Sequence, residues 1–130
     1  IVATRSLLDT PLDWAVGKVH AFQLDLVDGR TLYGPGVMGV WAPSKMTGQG
    51  AEILFREGIA VEPVYYQRPS DGALLLVRWR AKKLNGPHLA NHVEAEGKSA
   101  LIAGLRCLVA FHYGDTIFVP DAILRAPLMV

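Results

Sequence analysis

The sequence predicts one α+β domain over residues 1–130, with a mainly antiparallel sheet, a central C-terminal helix and an N-terminal helix packed on it. Three observations carry that prediction. Residues 22–33 and 59–84 alternate apolar and polar side chains with the period of two that a strand requires, while two other segments carry helix start and stop signals. A chain of 130 residues with 51% hydrophobic and 19% charged content suits a single core, because a chain of this size buries roughly two-thirds of its unfolded surface.

The first helix signal is TPLDWAVGKVH, residues 10–20. Thr10 is a suitable cap, Pro11 fits the first helical position, Asp13 can reach back toward the cap, and Leu12, Ala15, Val16 and Val19 line one face. Gly17 weakens that helix by about 1 kcal/mol relative to Ala and marks a close packing contact. Phe22, Leu24 and Leu26 then alternate with Gln23 and Asp25, and Asp28-Gly29 predicts a two-residue hairpin turn that sets Leu24 opposite Tyr33 and Leu26 opposite Thr31.

After Gly34-Pro35-Gly36 comes VWAPSKMTGQGAEI, read as a strand end, a Pro-Ser turn and a helix start, with Gly58 as the stop of that helix. Two strands, 59–67 and 73–84, are joined by RPSDG. On the second, Leu75, Val77, Trp79 and Ala81 share one face, and Arg78, Arg80 and Lys82 share the other with Leu74 and Leu76. The stretch NGPHLANHVEAEG reads as a polar loop. SALIAGLRCLVAFHYG is the strongest helix, capped by Ser99, stopped by Gly114 and apolar on nearly all sides, which assigns it to the centre. TIFVP predicts a short edge strand, and residues 121–130 a loosely held tail.

Thirteen basic and twelve acidic residues give a net charge of +1, so no general field draws the protein to nucleic acid, and no recognised DNA or RNA motif is present. A single cysteine excludes an intramolecular disulfide and fits a cytoplasmic setting. No apolar stretch approaches the roughly 20 residues of a membrane span, and IVATRSLLDTPLDW lacks the basic head and apolar middle of a signal peptide.

Taken in order, LDWAVGKVH, WAPS with QGAEILFREGI, RWRA and SALIAGLRCLVAFHYGDTIFVP resemble the NinX-like family of small phage and prophage proteins. The match touches most of the chain and is dense in about half of it. Where the family commonly carries Asp-Trp shortly after Pro-Ser, this chain has Met46 and Thr47. The resemblance implies a phage or mobile-element accessory protein and transfers no catalytic residue, since the family has no settled activity.

No residue pattern makes a case for an enzyme. His88 and His92 stand four apart with Glu94 or Glu96 nearby, yet a metal centre needs at least three defined ligands, and the segment reads as a solvated loop. Cys107 and His112 fall about 140° apart on one helix, so Cys107 is a core residue and no cofactor or metal is expected. Phosphate-loop patterns fail, because neither GPGVMG nor TGQG ends in Gly-Lys-Ser/Thr.

The expected ligand site joins Trp41, Ser44 and Lys45, at a helix start whose amides favour an anion, to Arg78 and Arg80, with Tyr66 available for stacking. It would take a small anionic or nucleotide-like ligand. The competing reading is a protein-interaction module acting on a host or phage partner, with open strand edges and an apolar content that a homodimer could cover.

Overall fold

The computed structural model describes residues 1–20, 22, 24–27, 31–34, 40–84 and 92–125. Strand β1 (Val2–Ala3) and a 3₁₀ turn (Thr4–Ser6) lead into helix α1 (Asp9–Val19). A short ribbon follows, β2 (Asp25–Val27) with β3 (Thr31–Tyr33), and then helix α2 (Thr47–Arg56). The main sheet is β4 (Ala60–Gln67), β5 (Leu74–Leu84) and β6 (His92–Gly97), antiparallel in the order β4-β5-β6. Helix α3 (Ala100–Tyr113), β7 (Thr116–Ile117), which pairs with β1, and the short helix α4 (Asp121–Leu124) complete the described chain.

Helix α3 is the central element, as its all-round apolar sequence requires. Leu105, Cys107, Leu108 and Val109 are fully buried, and the helix packs against β5 and β6 on one side and α1 and α2 on the other. The Ile102 N–H donates to Ser99 Oγ at 3.1 Å, and Gly114 ends the helix at φ 78°, a backbone region open to glycine. Small residues set the spacing. Ala81 and Ala95 bring the sheet close to α3, and a Cβ at Gly104 would lie 2.5 Å from Leu54 Cδ1, so α2 seats its leucine directly on the backbone of α3. Gly17 of α1 is similarly covered by Leu24 and Trp41, the close contact its position in the helix predicts. The buried apolar residues form one cluster.

Several expectations are corrected. The segment read as a polar loop contains β6, in which Glu94 and Glu96 point outward while Val93, Ala95 and Gly97 face the helix side. Its polarity is that of a strand with one solvated face. The β2–β3 register is Asp25 with Tyr33, Leu26 with Leu32 and Val27 with Thr31, which leaves three residues between the paired ends instead of two. Leu26 therefore faces the buried Leu32, and the turn residues themselves lie outside the described residues. Helix α1 begins at Asp9, at φ 51°, so Thr10 is inside the helix and Asp13 does not serve the cap.

On β5 the register shifts between Val64–Arg78 and Tyr65–Leu76, so Val77 has no partner on β4. This bulge displaces the alternation beyond it by one residue. Trp79 keeps its half-buried place on the inner side, whereas Val77, expected beside it, is 53% exposed. The α1 helix packs on α3, as expected. Of the tail, residues 121–124 are helical and anchored by the buried Ile123.

Candidate functional site

The six residues expected to share one site occupy three places. Trp41, Ser44 and Lys45, in the segment ahead of α2, pack against α1. Trp41 Nε1 donates to the Asp13 backbone oxygen at 2.8 Å, the Ser44 N–H donates to Asp13 Oδ1 at 2.7 Å, and Ser44 Oγ–H donates to Oδ2 at 3.0 Å. Lys45 pairs with Asp9 at 3.0 Å. Gln49, at the start of α2, holds the same segment from the other side, accepting from the Ala42 N–H and donating to the Val40 oxygen. The Trp-Ala-Pro-Ser segment is thus clamped onto the protein's own groups. Burial pushes the Asp13 carboxyl up to about 7, against the lowering effect of the Ser44 bonds and Lys45.

Arg78 and Arg80 lie on β5, across α3 from that cluster and on the sheet face turned away from the helix. Arg78 pairs with Glu96, Arg80 with Glu62 at 2.9 Å, and Lys82 with Glu94 at 3.5 Å. The basic stripe is real, but each cation has an acidic neighbour on β4 or β6. Tyr66 lies opposite Leu75, beyond the bulge and toward the hairpin turn.

A cleft of about 760 Å³ runs along the outer edge of β6 and is bounded by Arg5, Val77, Arg78, Lys98 and Arg106 with Glu94 and Glu96. Two of these arginines are tied to backbone. Arg5 Nε donates to the Glu94 oxygen at 2.9 Å, and Arg106 donates to Glu96 and Leu7 oxygens at 2.8 and 2.7 Å. Among the described residues no carboxylate pairs with Arg106 or Lys98, and partial burial lowers the Arg106 pKa. The cleft therefore offers uncompensated positive charge in a space of ligand size. Of the expected site residues it contains only Arg78. The signal that could have revealed it is Arg106 itself, a lone cation between Leu105 and Cys107 in an otherwise oily helix.

A second feature is the distal end of the β4–β5 hairpin. Tyr65, Tyr66, Leu74, Leu75, Leu76 and Val77 are each 43–64% exposed. The uninterrupted run ALLLV announced it: a strand apolar on both faces either is covered twice or shows one face to solvent.

The thiol is not poised for catalysis. Cys107 is fully buried, its Sγ–H donates to the Val93 oxygen at 3.3 Å, and burial pushes its pKa up to about 11, while His112 is exposed. His92 pairs with Glu94 at 3.2 Å, His88 lies outside the described residues, and among the described residues no group of three His, Cys, Asp or Glu is placed to hold a metal. No described helix is long and apolar enough to cross a membrane. Compared with protein-family models and with curated proteins, the sequence finds no match.

Proposed function

We propose that this protein is a non-enzymatic accessory protein of a phage or mobile element that binds a small anionic ligand in the cleft beside β6. The observation that carries the reading is Arg106, half-buried at that cleft and donating to the Leu7 and Glu96 carbonyl oxygens, with Lys98 lining the same cleft and, among the described residues, no carboxylate in an ion pair with either. A phosphate or carboxylate would supply the missing charge. The accessory assignment is supported by the resemblance to the NinX-like family, and two segments that carry it, LDWAVGKVH and WAPS, meet through Asp13 and Ser44.

Calorimetric titration with inorganic phosphate, citrate and a panel of nucleotides tests the proposal. Lys98→Ala and Arg78→Ala should each weaken the best binder about 10-fold, the cost of a charged hydrogen bond, whereas Met46→Ala on the far side should not. Absence of heat from every anion at millimolar concentration, or an affinity indifferent to both cleft substitutions, would overturn it. A second reading, a protein-interaction module, is favoured by the exposed apolar end of the β4–β5 hairpin. A photo-crosslinker at Tyr66 should then capture a polypeptide, and Leu76→Lys should abolish that capture.

A further inference from the structure

We propose that two copies of this chain associate edge to edge, β5 against β5, through the segment 73–77. Strand β5 is 11 residues long, but β6 pairs only with its half from Trp79 to Leu84. Among the described residues, 74–78 have β4 on one side and no strand on the other.

The other two edges of the sheet are blocked in ways that natural sheets use against edge pairing. On β4, Pro63 removes a donor. On β6, the outward carbonyls of Glu94 and Glu96 are taken by Arg5 and Arg106. Residues 72–77, at the start of β5 and just ahead of it, carry no charge and no proline, so among the described residues this edge of the sheet is the one left open to a strand.

The register follows from the backbone. The Arg68 N–H donates to the Ala73 oxygen at 2.8 Å, so by the alternation of an antiparallel ladder Leu75 turns its amide toward β4, and Leu74 and Leu76 turn theirs to the open edge. A two-fold axis at Leu75 sets Leu74 of each copy against Leu76 of the other, with their free amides and carbonyls paired, and Ala73 against Val77. The segment ALLLV is thereby its own complement, and Arg78 falls outside it. A second copy is the occupant because the edge is uncharged, apolar and self-complementary under an isologous two-fold. Edge pairing covers only the flanks of residues 73–77 on each copy, an interface below the roughly 1,200 Å² of a standard specific one, which implies a weak, concentration-dependent dimer.

This inference deepens the interaction-module reading; the segment shares Val77 with the rim of the anion cleft but includes none of the cations on which the anion reading rests. Light scattering on the purified chain from about 1 μM to 1 mM should show the mass rise toward twice the monomer, and Leu76→Lys should hold it at monomer with an unchanged Tm, since Leu76 is exposed. The decisive variant is Leu75→Cys. Non-hydrogen-bonded partners approach to about 4.5 Å between Cα atoms, so the new thiol should form an interchain disulfide under mild oxidation. Phe55→Cys, on α2 and 89% exposed, is the control that should stay largely monomeric, and the buried Cys107 does not compete. A monomer throughout the series, or cross-linking of Leu75→Cys no faster than of Phe55→Cys, overturns the dimer. If the Tyr66 crosslinker then captures a different polypeptide, the dimer falls while the interaction-module reading stands; if it captures neither that nor a second copy, both fall.

Discussion

Asp13 is the residue on which most of the local order depends. Its side chain leaves the helix cap to others and spans to Ser44, joining α1 to the segment ahead of α2. Burial is the largest influence on it, and it raises the carboxyl from 3.8 to about 7, a difference on the order of 4 kcal/mol between the two protonation states. The folded value lies above the unfolded one, so the folded chain holds a proton that the unfolded chain has released. That contribution to stability is fully present below about pH 3.8 and is lost as the pH rises through about 7. His20 acts in the opposite sense: burial lowers its pKa from 6.5, so it costs stability as the pH falls below 6.5. From pH 6.5 to 8 the two act in opposite senses, and the Asp13 contribution, centred near 7, is the larger. Thermal melts of the wild-type protein should show Tm falling across that interval, and Asp13→Asn, whose amide imitates the protonated carboxyl, should be flat there and more stable at pH 8. Asp13→Ala, which strands the buried Ser44 donors, should lose about 2–3 kcal/mol at any pH. A wild-type Tm independent of pH over that interval would show the carboxylate to be charged throughout.

At the scale of elements, α2 puts propensity against packing in a single turn. A Cβ at Gly50 would collide with the Pro43 carbonyl oxygen and Leu101 Cδ2, whereas nothing lies within 4 Å of one at Gly48. Gly48→Ala should stabilise by about 0.5 kcal/mol through helix propensity, and Gly50→Ala should destabilise by about 2 kcal/mol despite the same gain, measured by urea unfolding. Equal effects would mean that α2 does not rest on the Pro43 turn as tightly as its geometry requires. The elements themselves differ in how openly the sequence declares them. The α3 helix could be read complete because Ser99, Gly114 and an unbroken apolar run point the same way. Strand β6 was hidden, since in HVEAEG the inward residues after Val93 are Ala and Gly, chosen by the closeness of α3 and not by any preference for strands. The bulge at Val77 has no local signal in a run of four apolar residues, so the exposed hairpin end could be seen as apolar but not placed. Trp41, Ser44 and Lys45 were recognisable as a group. Their distance from Arg78 and Arg80 depends on α3 standing between the layers, which no local pattern encodes.

For the molecule as a whole, charge is organised as a compensated ladder. Arg78, Arg80 and Lys82 would form a stripe able to follow a phosphate backbone, but Glu96, Glu62 and Glu94 stand against them on the flanking strands. Exposed pairs of this kind contribute only about 0–1 kcal/mol each to stability, so their main effect is on the field that the sheet presents. Replacing all three glutamates by glutamine raises the net charge from +1 to +4 and leaves every hydrophobic contact in place. The triple variant should melt within a few degrees of the wild type. It should also shift a short DNA duplex in a gel at low salt, where the wild-type protein should not, and lose that shift as salt is raised. The same change should tighten anion binding in the cleft, because Arg78, released from Glu96, lies at its rim. If the triple variant binds neither duplex nor small anion more strongly than the wild type, the glutamates are not what restrains the stripe. The anion selectivity of this face would then have to come from Lys98 and Arg106, whose charges no described carboxylate opposes and which the triple variant leaves untouched.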